Sequence, residues 1–170
     1  MKNSQAFTLI ELLVVVLIIG ILASVALPKY EMAVMKSRYS TLLATANALL
    51  QSQELYYLAN GSYTTDLENL DLPPSGCTLS SDKTKCTYPW GYCSIYSDWR
   101  VQCINNQQMK NGYGAYLSQG SHEKKGKRFC FALTTDTNDK YNKLCTQMGG
   151  SYFSASCSGI GSCGAYILNN

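Results

Sequence analysis

The sequence predicts an α+β protein in which one long N-terminal helix carries a small, disulfide-rich head of short strands and turns. Three observations lead there. The run Phe7–Leu27, FTLIELLVVVLIIGILASVAL, is apolar except for Thr8, Glu11 and Ser24. Past Pro28 the apolar residues recur on one side only, at three- and four-residue steps. All eight cysteines lie from Cys77 onwards, in a stretch rich in Gly, Ser and Tyr.

As a helix rising about 1.5 Å per residue, Phe7–Leu27 spans roughly 30 Å, the thickness of a bilayer's hydrocarbon core. Glu11 is the only ionisable side chain in it. A carboxylate in such a segment is costly and needs a partner. Three kinds of segment share this outline. A secretory signal would use Lys2 as its basic flank and Ser24-Val25-Ala26 as a small-residue cleavage site, releasing a soluble binding protein that begins at Leu27. A plain membrane anchor has the right length. Both leave Glu11 unexplained. The third kind is an assembly segment cut in front of the apolar run.

Phe7-Thr8-Leu9-Ile10-Glu11-Leu12, a short leader with Lys2, an apolar run containing Gly20, and Pro28 just past it resemble the type IV pilin and pseudopilin family, with its class III signal and N-terminal methylation motif. The resemblance is strong over residues 1–30, weaker to about residue 60, and only architectural beyond. It implies that residues 1–6 are a leader removed between Ala6 and Phe7 by a prepilin peptidase, which then methylates the Phe7 amine. Ala6 departs from the family pattern, which usually has Gly there, and slower processing would follow. The new amine of one subunit would pair with Glu11 of a neighbour, fixing the stagger between subunits in a helical homo-oligomer. Within one chain, Glu11 folding back on its own Phe7 amine is the competing contact in the membrane before assembly.

From residue 29 to about 60 the helix becomes amphipathic. Met35, Tyr39, Leu42, Leu43, Ala46, Leu49, Leu50 and Tyr57 form its apolar stripe, while Lys36, Arg38, Ser40, Gln51 and Glu54 fall largely off it. The spacing predicts one helix from Phe7 to about Leu58, roughly 78 Å long, with Asn60-Gly61 as its stop. Its first half must be covered by lipid or by other subunits. Gly20 and Pro28 are its weak points, because Pro28 removes a backbone donor and crowds the preceding turn. They predict a kink, or local melting between them in an assembled filament. Asn60-Gly61-Ser62 matches a glycosylation pattern, but turn chemistry accounts for it.

Residues 61–170 form the head. Tyr63–Pro74 reads as a loop anchored by Leu67, Leu70 and Leu72. Trp99–Ile104, Ala115–Leu117 and Arg128–Leu133 read as strands, and the resemblance implies a small antiparallel sheet against the helix. His122–Arg128, HEKKGKR, reads as a solvated basic turn, with an electrostatic patch for DNA, an anionic surface polymer or a neighbouring subunit as the sharper reading. No aromatic residues are interleaved with its lysines and the net charge is only +3, so nucleic acid is not an expected partner. A second helix is expected over Thr137–Met148, ended by Gly149-Gly150.

Cys77, Cys86, Cys93, Cys103, Cys130, Cys145, Cys157 and Cys163 contain no Cys-x-x-Cys, and His122 is the single histidine. Neither zinc nor any other cofactor is expected. Four disulfides in an oxidising compartment are. Spacing leaves their connectivity open, with Cys145 to Cys157 or Cys163 as one expectation, closing the C-terminal loop. No catalytic constellation stands out: His122 sits among charges, and Glu68/Asp71 and Asp136/Asp139 have cap or turn explanations. The expectation is a structural, non-enzymatic pilus subunit, held in the inner membrane with a periplasmic head and then exported in the filament through a separate assembly platform. The alternative within the family is a type II secretion pseudopilin in a periplasmic pseudopilus. Eight cysteines and no Asp-rich calcium loop favour the pilus.

Overall fold

The computed structural model describes residues 7–70, 76–105, 110–119, 124–157 and 161–169. Leu72, Pro73, Pro74, Asp71, His122 and Ala6 lie outside them. The element order is α1 (Leu9–Asn60), a short 3-10 turn (Leu67–Asn69), β1 (Thr78–Leu79), β2 (Lys85–Tyr88), β3 (Gly91–Tyr96), β4 (Arg100–Asn105), β5 (Asn111–Tyr116), β6 (Arg128–Ala132), α2 (Lys140–Gln147), β7 (Gly150–Cys157) and β8 (Gly161–Leu168). The chain divides into two compact units, one up to Met35 and one from Lys36 onward.

The first unit holds the apolar part of α1. Its large apolar side chains from Leu9 to Leu27 are exposed, from 45% at Val14 to 82% at Leu9. The helix continues through Gly20 and Pro28, since Pro fixes a φ compatible with the helix and forfeits one backbone bond. This is the one helix among the described residues long and apolar enough to cross a membrane.

In the second unit, Tyr39, Leu42, Ala46, Leu49 and Gln53 are buried at alternating three- and four-residue steps, so the predicted stripe is the buried face. Leu43 and Leu50 flank it, half-buried. The helix stops at Asn60 because Gly61, at φ 70°, takes the left-handed conformation that closes the end, with its N–H on Tyr57 O at 2.8 Å. The buried amide of Gln53 then holds the outgoing chain, donating to Thr64 O at 2.8 Å and accepting from Thr64 N–H at 3.3 Å.

The strands form one antiparallel sheet in the order β1-β2-β3-β4-β5-β6-β8-β7. β1 to β6 run as a meander. After α2, β7 takes the edge and β8 returns between it and β6. The face bearing Val101, Cys103, Tyr113 and Ala115 is buried, and Tyr113 lies near Tyr39 of α1. On the opposite face Ile104, Phe131, Cys163 and Ala165 form a core cluster with Tyr92, Leu133 and Cys157 against it. A Cβ on Gly112 of β5 would overlap the Phe131 ring, so glycine there lets the ring lie flat across the neighbouring strand.

Several boundaries differ from expectation: β5 runs from Asn111 to Tyr116 and leaves Leu117 outside, and β6 ends at Ala132, one residue short of Leu133. Trp99 is not a strand residue. It sits in the turn from β3 to β4 at φ 59°, with its N–H on Tyr96 O at 3.0 Å and its ring 5.7 Å from that of Tyr63. The second helix starts at Lys140 rather than Thr137, because Asp139 caps it by accepting from Tyr141 N–H at 2.8 Å. Asp136 holds the preceding turn through Asn138 N–H at 2.9 Å.

Candidate functional site

The N-terminus of α1 is a capping box. Thr8 precedes the first helical residue, and its Oγ1 accepts the Glu11 N–H at 3.3 Å. In return Glu11 Oε2 accepts the Thr8 N–H at 2.8 Å and the Thr8 hydroxyl at 2.6 Å. Two otherwise orphaned donors at the helix end are thereby satisfied. The intrachain partner of Glu11 in this structure is thus Thr8. Both bonds land on the same oxygen, Oε2. The run's remaining polar side chain is satisfied locally: Ser24 donates to Ile21 O at 2.7 Å. Phe7 is 83% exposed beside this cap, and Gly20 has no neighbour within 4 Å of where a Cβ would stand.

The eight cysteines form four disulfides: Cys77–Cys86, Cys93–Cys103, Cys130–Cys145 and Cys157–Cys163. The expectation for Cys145 was wrong. It bonds Cys130, with Cα atoms 5.4 Å apart, because α2 lies over β6 and turns that side chain to the strand. Cys157 and Cys163 close the C-terminal hairpin on themselves, one on β7 and one on β8. Sheet register places Cys86 opposite Cys93, Cys93 opposite Cys103, Cys103 opposite Tyr113, and Tyr113 opposite Cys130. The result is a transverse buried row of sulfur and aromatic side chains crossing five strands.

A junction that the sequence did not announce ties helix to head. Glu54 accepts from Ser118 N–H at 3.1 Å and Ser118 Oγ at 2.9 Å, and through its other oxygen from Tyr63 OH at 3.0 Å. Tyr63 OH in turn accepts from Gln119 N–H at 3.0 Å. Burial, ahead of these contacts, holds the Tyr63 phenol above its usual range. Glu54 falls off the apolar stripe and reads as a solvated charge, so only its distant partner, 64 residues on, reveals its use. Of the basic loop, Lys124–Lys127 forms a tight turn with Gly126 at φ 69°. Among the described residues no group of His, Cys, Asp and Glu could hold a metal ion.

An exposed apolar helix with a capped carboxylate at its start and a disulfide-stapled antiparallel head define an α+β, disulfide-rich protein with one candidate membrane-spanning helix. Residues 1–27 match the family model described as the prokaryotic N-terminal methylation motif. The chain is 41% identical over 66 residues to the type IV wide pilus major component PilA4 of Thermus thermophilus, covering 39% of this chain and 50% of that protein. It is 31% identical over 127 residues to the type IV major pilin PilE1 of Neisseria gonorrhoeae, covering 73% and 65%. It is 27% identical over 149 residues to a fimbrial protein of Moraxella nonliquefaciens, covering 84% and 94%. The matched region thus spans half the length of the Thermus component and just under two thirds of the gonococcal pilin. No solved structure matches the chain significantly. The chain thus carries the N-terminal methylation motif and is similar, over the matched stretches, to type IV pilins and fimbrial proteins.

Proposed function

We propose that the chain is a structural subunit of a type IV pilus, made as a precursor and polymerised through the first half of α1. The observation that carries this is the exposed apolar helix with one carboxylate at its capped start. In this reading residues 1–6 are the leader, residues 7–28 the membrane and assembly segment, residues 29–60 the amphipathic half of the helix, and residues 61–170 the head. A prepilin peptidase cuts between Ala6 and Phe7 and methylates the Phe7 amine. The subunit waits in the inner membrane with its head in the periplasm, and the assembly platform draws it into the filament. Lipid covers the apolar side chains first and neighbouring subunits cover them afterwards.

Glu11 then has two tasks. Oε2 caps its own helix through Thr8, while Oε1 meets the amine of a neighbour's Phe7. Two charges that are each costly in an apolar interior become tolerable as a pair, and the pairing sets the axial stagger. Gly20 and Pro28 give the segment its local tolerance of bending or melting during packing. The matched relatives are described as pilins and fimbrial proteins, which favours a surface pilus over a pseudopilus.

Sequencing the mature N-terminus tests the first step. Methylated Phe7 supports the proposal, and Leu27 would instead mean a secreted soluble protein. Two substitutions separate the tasks of Glu11. Glu11→Gln keeps a cap-competent side chain but removes the charge, whereas Glu11→Ala removes both. Loss of filaments in both variants, with subunits still inserted in the membrane, is the expected result. Normal filaments from Glu11→Gln would reduce the residue to a cap.

A further inference from the structure

The face of the sheet opposite α1 carries a pocket of about 80 Å³ with no role in the assembly reading. Its shape follows from register. Arg100 and Gln102 are alternate residues of β4 and point to the same side. Opposite them on β5 stand Tyr116 and Gly114, and opposite Gly114 on β6 stands Phe129. Because Gly114 has no side chain, the surface dips between Gln102 and Phe129. Phe131, Phe153 and Lys124 complete the rim.

The chemistry of this dip is specific. Arg100 is 7% exposed and Gln102 2% exposed, yet Arg100 Nε and Gln102 Oε1 have no hydrogen-bond partner among the described residues. Arg100 stacks on Tyr96, 4.4 Å from the ring centre, and its nearest carboxylate oxygen, on Asp98, is 3.9 Å from Nη2, too far for a hydrogen bond. Lys124 Nζ lies 4.6 Å over the Phe153 ring at the rim. One buried guanidinium nitrogen, Arg100 Nε, and one buried neutral acceptor, Gln102 Oε1, each without a partner beside an aromatic wall, ask for one ligand with an anion, an adjacent hydroxyl and an apolar face.

We propose that this pocket binds an acidic monosaccharide unit of the uronic acid kind. Its carboxylate would sit on Arg100 beside the Lys124 ammonium, a neighbouring hydroxyl would donate to Gln102 Oε1, and its C–H face would lie on Phe129 and Phe153. The pocket takes the carboxylate edge of the ring and leaves the remainder at the open mouth, as suits a terminal or branch unit of an anionic polysaccharide. An acidic peptide side chain supplies the carboxylate but lacks the adjacent hydroxyl. The proposal is independent of the assembly reading.

Calorimetric or NMR titration of the full chain in detergent micelles with sodium glucuronate tests it. Saturable, salt-weakened binding is expected, with glucose weaker by about tenfold or more because the charged contact is lost. Arg100→Gln is expected to abolish binding but can also disturb the buried stack. Gly114→Ala avoids that problem, since a Cβ there would meet its nearest atoms at 3.5–3.9 Å, ordinary contact distances. It should leave the melting temperature unchanged and weaken glucuronate by about tenfold, as one misplaced methyl in a fitted site does. Lys124→Gln should weaken it less. No saturable binding, equal binding of glucose, or an unaffected Gly114→Ala variant would each overturn the proposal. N-acetylglutamate matching glucuronate would overturn it in favour of an acidic peptide.

Discussion

Glu54 and its neighbour Gln53 show how differently side chains on one helix can read. Gln53 is fully buried and Glu54 half-buried, yet both are polar letters in an amphipathic run. Their partners, Thr64 and Ser118, come from backbone whose course the sequence does not give. Replacing Glu54 by Ala strips three hydrogen bonds from Ser118 and Tyr63. This should lower head stability by about 1–3 kcal/mol, with a lower melting temperature and faster hydrogen exchange at Ser118. Glu11, by contrast, was legible at once, because a lone carboxylate in an apolar run demands explanation. Its bond to Thr8 was readable too, as the spacing S/T-x-x-E, but the attraction of the chain's end obscured it. The tyrosines add a pH dependence. Burial pushes Tyr88 up to about 12 and raises Tyr39 and Tyr113 as well, where Arg128 pulls Tyr113 partly back. The fold therefore holds these phenols neutral while the unfolded chain ionises near 10. Stability from them is fully present below pH 10 and falls as pH rises towards about 12. Denaturant midpoints measured across that interval should drop together with the rise of phenolate absorbance.

At the level of elements, long periodic segments were legible and short ones were not. The stripe of α1 and the stop at Gly61 follow from spacing and from one left-handed position. β5, NGYGAY, was half hidden because Gly112 and Gly114 are poor strand formers. Their reason for being there is the Phe131 ring and the dip beside Gln102, which only pairing reveals. β2 and β3 were hidden by cysteines standing where branched apolar residues would signal a strand, and β7 and β8, the longest strands, by their Gly and Ser content. The link between α2 and β6 should behave as one unit. Replacing Cys130 and Cys145 by Ser opens a bond of separation 15 and should cost about 3 kcal/mol. Release of α2 should precede the loss of the β3–β5 core, as hydrogen exchange would register. A simultaneous loss would mean that packing alone holds α2 in place.

For the whole molecule, the α+β class, the disulfide count and the exposed apolar helix were all available before any coordinates, because each rests on composition or on sustained periodicity. The size of the sheet and the pairing of cysteines were not, since both depend on register between distant strands. Reduction should melt the head while the far-ultraviolet helix signal of the apolar segment persists. An unchanged head under reductant would mean that the four bridges add nothing to its stability. The transverse cysteine row has one more consequence. Cys93 stands across from Cys86 on one side and Cys103 on the other, and the two pairings differ: with Cα atoms 4.0 Å apart, Cys93 and Cys103 form the close, non-hydrogen-bonded kind of pair. Every bridge also joins a cysteine to the next one along the chain. A polypeptide emerging amino end first would offer Cys86 its proper mate before the rival. Order of emergence would then reinforce the choice that strand geometry makes.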